Sequence, residues 1–186
     1  MIPYITVGAL RAIGASAAGA QRWLDPLRAT CEAYDINTGA RIAAFLAQIG
    51  HESQGLAHTT ELWGPTAAQR RYEGRRDLGN VKPGDGLRFR GHGLIQITGR
   101  TNHAAVRDRL RKRLGAHVPD FEERPELLAH EPWAALSAGD YWDSRNLNPL
   151  ADAGDFEQLT RKINGGLNGY EDRLQRWQAA RREMGL

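Results

Sequence analysis

Apolar residues recur along this chain at helical rather than alternating spacing, which predicts a mainly α architecture. Ile42, Phe45, Leu46 and Ile49 fall at i, i+3, i+4 and i+7 and make one stripe. Asn37-Thr38 ahead of them is a helix start signal, and Gly55 beyond them is a stop. Trp23, Leu24 and Leu27 share a side over Ala17 to Tyr34, where Pro26 predicts a kink or two short helices. Thr66 to Tyr72 reads as a short helix and Asn102 to Leu114 as a strongly charged one. Glu131 to Tyr141 reads as another, with Pro132 in its first turn and Trp133 and Leu136 on one face. Asp155 to Ile163 is a further helix, stopped by Asn164-Gly165-Gly166. Leu167, Tyr170, Leu174 and Trp177 line one side of the last. Three stretches break the pattern. Leu78 to Gly93, with five glycines and Pro83, reads as irregular surface chain whose backbone groups bond to water. Leu94 to Thr98 is a strand or a buried turn, and Pro119 to Pro125 is loop-like. With no repeat and no linker, residues 1–186 are expected to form a single domain, with about 1–36 as a helical part packed on it.

The apolar fraction of 41% is enough for a real core. Cys31 has no partner in the chain, so it reads as a small apolar helix residue in a protein made in a reducing compartment. No run of about twenty apolar residues is present, so no membrane-spanning helix is expected. Met1 to Ala20 is rich in Ala and Gly, but it lacks a basic leading region and Arg11 interrupts it; it reads as part of the fold rather than a signal peptide. The net charge of +3 suits an acidic polymer or an anionic surface and is too mild to argue for nucleic acid. The most basic stretch, Arg107 to Arg113, has five cations and one aspartate with no interleaved aromatics, so it reads as a solvated helix face. Around Trp177, the cations Arg173, Arg176, Arg181 and Arg182 are offset by Glu171, Asp172 and Glu183, which favours core packing of that tryptophan over contact with anionic lipid.

Glu52 is the first candidate for chemistry. It follows Ile49 by three and Phe45 by seven, which puts a carboxyl on the apolar stripe near a helix C-terminus. Apolar neighbours and the negative helix end both disfavour its ionised form, as a general acid needs. The bland alternative is a residue fanning out to solvent at a fraying helix end. Glu61, past Gly55 and His58-Thr59-Thr60, falls outside the helix in a wetter setting where a carboxylate stays charged and acts as a base. Two carboxyls in unlike surroundings are the minimum for inverting glycoside hydrolysis, with room for a water between them. A zinc site is the competing reading. His51-Glu52 begins like a metalloprotease helix, but the next histidine is His58, seven rather than four residues on; His92 and His103 would have to fold in to complete it.

Three segments occur in order: Ala47-Gln48-Ile49-Gly50-His51-Glu52-Ser53, Gly91-His92-Gly93-Leu94-Ile95-Gln96-Ile97-Thr98 and Ile163-Asn164-Gly165-Gly166. Together they resemble glycoside hydrolase family 19, which includes chitinases and lysozyme-like bacteriophage endolysins, over roughly Arg41 to Trp177. The likeness looks closest to the single-domain endolysin branch. It implies a lysozyme-like, two-lobed helical domain with a small β element beside an active-site cleft, no wall-binding module, and neither metal nor cofactor. It implies Glu52 as general acid, Glu61 as general base and Thr98 as a hydroxyl that helps hold the attacking water. Gln96, Asn102 and Asn164 then correspond to sugar-contacting positions and Arg173 to a basic residue near the catalytic carboxyls, with His51 and Tyr72 completing the candidate substrate contacts. The chain departs from the family pattern at His92, commonly Arg or Tyr, and after Asn102, where His103 replaces a common aromatic residue.

The implied function is cleavage of β-1,4 linkages in peptidoglycan glycan strands, leading to bacterial lysis, by a monomer that binds no nucleic acid and does not insert stably into membrane. It would be made in a host cytoplasm and reach the wall through a separate pore-forming protein. The alternatives are a chitinase acting on chitin oligosaccharides and a lytic transglycosylase, then a zinc amidase or a non-catalytic wall-binding protein.

Overall fold

The computed structural model describes residues 3–186, so the first two positions of the Met1 to Ala20 segment lie outside it. Contacts divide the chain into two compact units, one holding the chain up to Ala57 and from Tyr141 onward, the other holding His58–Asp140. In chain order the first unit begins with helices α1 (Val7–Ala12), α2 (Ala17–Ala33) and α3 (Gly39–Glu52). The second contains α4 (Ala67–Arg70), α5 (Asp85–Arg88) and α6 (Arg100–Leu114). Helix α7 (Trp133–Ser144) contains the boundary, and α8 (Asn148–Asp152), α9 (Phe156–Asn164) and α10 (Tyr170–Met184) complete the first unit. The expected small β element amounts, among the described residues, to two isolated antiparallel bridges, Thr60 with His92 and His92 with Ile97.

In the first unit, side-chain caps start the helices where the sequence placed them. Thr38 accepts from Arg41 N at the head of α3, and Asp155 from Gln158 N at the head of α9. Helix α3 is buried almost all round, including Ile42, Phe45, Leu46 and Ile49, which makes it the central helix against which α10 packs. Phe45 meets the edge of Trp142 at 5.4 Å. Helix α2 runs through Pro26 as one element. Its face buries Trp23 and Leu27, each worth about 1.5–3 kcal/mol, which offsets the roughly 3 kcal/mol of a proline inside a helix. Cys31 is fully buried, and burial pushes its thiol well above the ordinary range. The last helix departs from expectation. Leu167 precedes it, and the residues it buries deepest are Arg173 and Ala180. Trp177 packs by stacking on Phe156 at 4.6 Å. Helices α1 and α8 were not expected, being too short to show a period.

In the second unit the largest departure is Leu78 to Gly93. It is not simply surface chain: Asn80, Asp85, Phe89 and His92 are buried. Main-chain bonds such as Phe89 N to Asp85 O and Gly93 N to Thr59 O satisfy much of its backbone, and side chains hold the rest of the fold around it. Glu73 accepts from Gly84 N and Gly86 N, and Asn80 bridges Tyr72 O and Arg100 N. Such partners are distant in sequence and invisible to a composition argument. Helix α6 is also less solvated than its charge suggested. Arg107 binds Asp108, Asp120 and Glu122, and Arg109 reaches both oxygens of the buried Asp140. Helix α7 starts at Trp133, with Pro132 just ahead of it. Leu94 to Thr98 is a buried turn closed by Ile97 N donating to His92 O at 2.8 Å.

Candidate active site

Glu52 is the last residue of α3, with a side chain 23% exposed. Its Oε1 accepts from Arg173 Nη2 at 2.5 Å, and Arg173, from the first turns of α10, is only 2% exposed. Arg173 Nη1 donates to Gln48 Oε1, and its Nε donates to the Asn168 carbonyl at 3.4 Å. Gln48 Nε2 in turn donates to Thr160 Oγ1 at 2.9 Å. Apolar burial alone therefore does not describe this carboxyl. A buried guanidinium, 121 residues away in sequence, donates to it.

The neighbouring His51 Nδ1 lies 2.6 Å from Asp172 Oδ2. Arg176 also donates to Asp172, through Nε at 2.7 Å, and with His51 it holds that carboxyl below the usual range. The imidazole rests against Gly169, where φ is +70° and an added Cβ would stand 2.3 Å from Cε1, so only glycine fits. Asn164 Nδ2 donates to the Asn168 carbonyl that also receives Arg173. Burial pushes the Tyr141 phenol up, the Glu52 charge adding to the effect and Arg145 opposing it. Glu52, His51, Asn164 and Arg173 thus form one neighbourhood, together with Gln48, Thr160 and Asp172, which the sequence did not single out.

A second neighbourhood, in the other unit, surrounds Glu61. Its Oε1 accepts from Gln69 Nε2 and its Oε2 from Gly91 N, both at 3.0 Å. Tyr72 Oη donates to Oε1 at 3.5 Å, and burial, followed by the Glu61 charge, raises the Tyr72 phenol. A side chain at Gly91 would displace the Gln96 amide, since a Cβ would come 2.5 Å from Gln96 Oε1. Thr98 Oγ1 donates to the Gln96 carbonyl at 3.1 Å, and Asn102 Nδ2 to the Thr98 carbonyl at 2.7 Å. The expected residues Glu61, Tyr72, Gln96, Thr98 and Asn102 therefore share one part of the unit. Sequence reasoning missed Gln69 and Trp63. The Thr66-x-x-Gln69 capping box was legible as a motif, and its glutamine doubles as the Glu61 partner. Trp63 lies with its ring 6.2 Å from that of Tyr72.

His92 and His103 do meet, but through each other. His103 Nδ1 lies 2.9 Å from the Gly99 carbonyl and must donate to it. Its Nε2 therefore accepts from His92 Nδ1, at 3.0 Å. Burial above all pushes His92 down to about 3 and His103 down to about 4, so both are neutral at pH 7. Among the described residues, no three His, Cys, Asp or Glu side chains gather as a metal-ligand set.

No family model matches the chain. A Haemophilus influenzae protein described as glycosyl hydrolase family 19 domain-containing is 35% identical over 164 residues, covering 74% of this chain and 76% of that protein. The chain belongs to glycosyl hydrolase family 19. It is a glycoside hydrolase of chitinase-like kind. Two Arabidopsis thaliana endochitinases are 33% and 32% identical over 125 and 142 residues, and the chain spans 39% and 45% of their lengths. Solved structures share the fold: chitinase C from Streptomyces griseus has a TM-score of 0.72 at 21% identity, over 98% of this chain and 77% of that one. A bacterial family 19 chitinase has a TM-score of 0.74 at 20% identity, over 98% and 96%. Against the family pattern, the two departures noted in the sequence, His92 and His103, are each other's hydrogen-bond partners.

Proposed function

We propose that this family 19 hydrolase is an endolysin-type enzyme that cuts the β-1,4 linkages of peptidoglycan with inversion. The observation that carries the mechanism is the unequal treatment of the two carboxyls. Glu52 Oε1 is occupied by Arg173, and Oε2 has no partner among the described residues, so Oε2 delivers the proton to the glycosidic oxygen. The charge left on Glu52 as the proton departs meets a guanidinium already in place, which stabilises the transition state without reorganisation. Glu61 has an N–H donor on each oxygen, which suits a carboxylate that takes a proton from the attacking water. Thr98 helps hold that water, and Gln96, Asn102, Asn164, His51 and Tyr72 contact sugar, with Trp63 offering an aromatic face.

Charge supports the substrate. Arg71, Arg76 and Lys82, in the same unit as Glu61, are exposed and have no carboxylate partner among the described residues. Peptidoglycan carries carboxylates on its lactyl-linked peptides, whereas chitin carries none. The relatives named as endochitinases favour chitin as the rival substrate. Digesting both polymers side by side should release peptidoglycan fragments whose summed mass exceeds that of the parent strand by one water per bond cut, with the inverted anomer formed first. Cleavage of peptidoglycan should also fall more steeply with ionic strength than any cleavage of chitin oligosaccharides. Chitin cut while peptidoglycan stays intact would overturn the substrate; 1,6-anhydro products would make the enzyme a lytic transglycosylase. Access to the wall through a separate pore is tested by expressing the chain alone: lysis should follow only when the inner membrane is permeabilised.

A further inference from the structure

Gln48 and Thr160 have no part in the chemistry above, yet they complete the chain of hydrogen bonds that ends on Glu52. We infer that they are positioning residues for the acid: they hold Arg173 in one orientation, so that Nη2 faces Glu52 Oε1 and leaves Oε2 to the substrate. This rests on Glu52 acting as the proton donor.

The direction of each bond is forced. Thr160 Oγ1 donates its one proton to the Phe156 carbonyl at 2.8 Å, so toward Gln48 it acts only as an acceptor. Gln48 must then turn its Nε2 to Thr160, which leaves Oε1 to accept from Arg173 Nη1. A flipped amide would set N–H against guanidinium and oxygen against oxygen. Water is not there to relieve the mismatch, because Gln48 and Thr160 are fully buried and Arg173 is 2% exposed. Gln48 and Glu52 are one turn apart on α3, so the guanidinium spans two acceptors on the same face, while the Asn168 carbonyl holds its Nε. The identity of residue 48 matters as well. A neutral amide fixes Arg173 without sharing its charge, so that charge is left for Glu52; a second carboxylate there would divide it.

The test compares Thr160→Val, Thr160→Ser and Gln48→Glu with the wild type, measuring kcat, KM and the pH profile of kcat/KM on solubilised peptidoglycan strands, or on chitin oligosaccharides if those are the polymer cut. Thr160→Val should lower kcat about tenfold with KM nearly unchanged, the signature of an interaction lost only in the transition state. Thr160→Ser, which keeps the hydroxyl, should restore most of it. Gln48→Glu should move the alkaline limb up by about one pH unit, since a proton donor less strongly drawn to Arg173 stays protonated longer. A wild-type kcat in folded Thr160→Val, a loss that serine does not restore, or an unmoved limb in folded Gln48→Glu each overturns the inference. If Gln48→Glu does not fold, the two threonine variants decide. Glu52→Gln separates the two levels: an active Glu52→Gln removes the acid assignment itself, whereas an inactive one beside unmoved Gln48 and Thr160 variants removes only this inference.

Discussion

Replacing Glu52 by glutamine will lower kcat by about 10²–10⁴, the range for loss of one general acid, and will leave the fold intact. Glutamine keeps an oxygen that can accept from Arg173 Nη2, so the guanidinium loses a charged partner but not a hydrogen bond. It has no proton of suitable acidity to give. KM should stay near the wild-type value, because the change falls on the transition state rather than on ground-state binding. Kinetics on the cleaved polymer together with thermal unfolding check this. A folded variant that keeps more than about a tenth of its kcat would remove Glu52 from the chemistry. Glu61→Gln has a different profile. Glu61 accepts from Gln69 on one oxygen and from Gly91 on the other, so an amide must turn its own N–H₂ toward one of these donors. That variant should lose about 1–3 kcal/mol of stability from the unsatisfied pair as well as activity, and its melting temperature should fall below that of Glu52→Gln.

Much of this arrangement was legible in the chain. The period over Ile42 to Ile49 located the central helix, and Glu52 at its end follows directly from the spacing. Caps such as Thr38 and Asp155 set the helix starts within a residue or two, because capping is a local interaction. What stayed hidden depends on partners far apart in sequence. The apolar setting expected for Glu52 was incomplete because Arg173 arrives from α10. The quartet Leu167, Tyr170, Leu174 and Trp177 pointed to an apolar buried face, whereas the residue buried deepest is a cation whose charge is met by Glu52 and Gln48. Leu78 to Gly93 looked like solvated loop because glycine content records backbone freedom but not which side chains will bond to the freed groups. His92 and His103 looked like two separate departures from the family pattern; their hydrogen bond makes them one, since the ring donor at position 92 is met by an acceptor at position 103.

That pair carries the second large effect. Acidification from pH 7.5 to 4.5 should destabilise the protein while most carboxylate pairs are still charged. Both imidazoles are held neutral, His92 down to about 3 and His103 down to about 4, chiefly by burial. In the unfolded chain each titrates near 6.5. The folded-state values are depressed, so the stabilisation is complete above about pH 6.5 and is lost as the unfolded state takes up protons that the folded state refuses. At pH 4.5 the two sites together should cost about 5 kcal/mol, since each unit of difference is worth roughly 1.4 kcal/mol per site. This is comparable with the whole stability of a small domain, about 5–15 kcal/mol. Asp172, Asp85, Asp120 and Asp152 are shifted down as well, but from a lower starting point. Their contribution is present above about pH 4 and is lost only below it, which keeps the histidine window separate. Denaturant titrations at half-unit steps of pH should show stability falling below pH 6.5. His103→Gln keeps a donor for the Gly99 carbonyl or an acceptor for His92 but removes one titrating group, so it should roughly halve the slope. A wild-type stability that stays level from pH 7 to pH 5 would mean that the two rings are not held neutral in the folded protein, and the hydrogen-bond directions assigned to them would have to be abandoned.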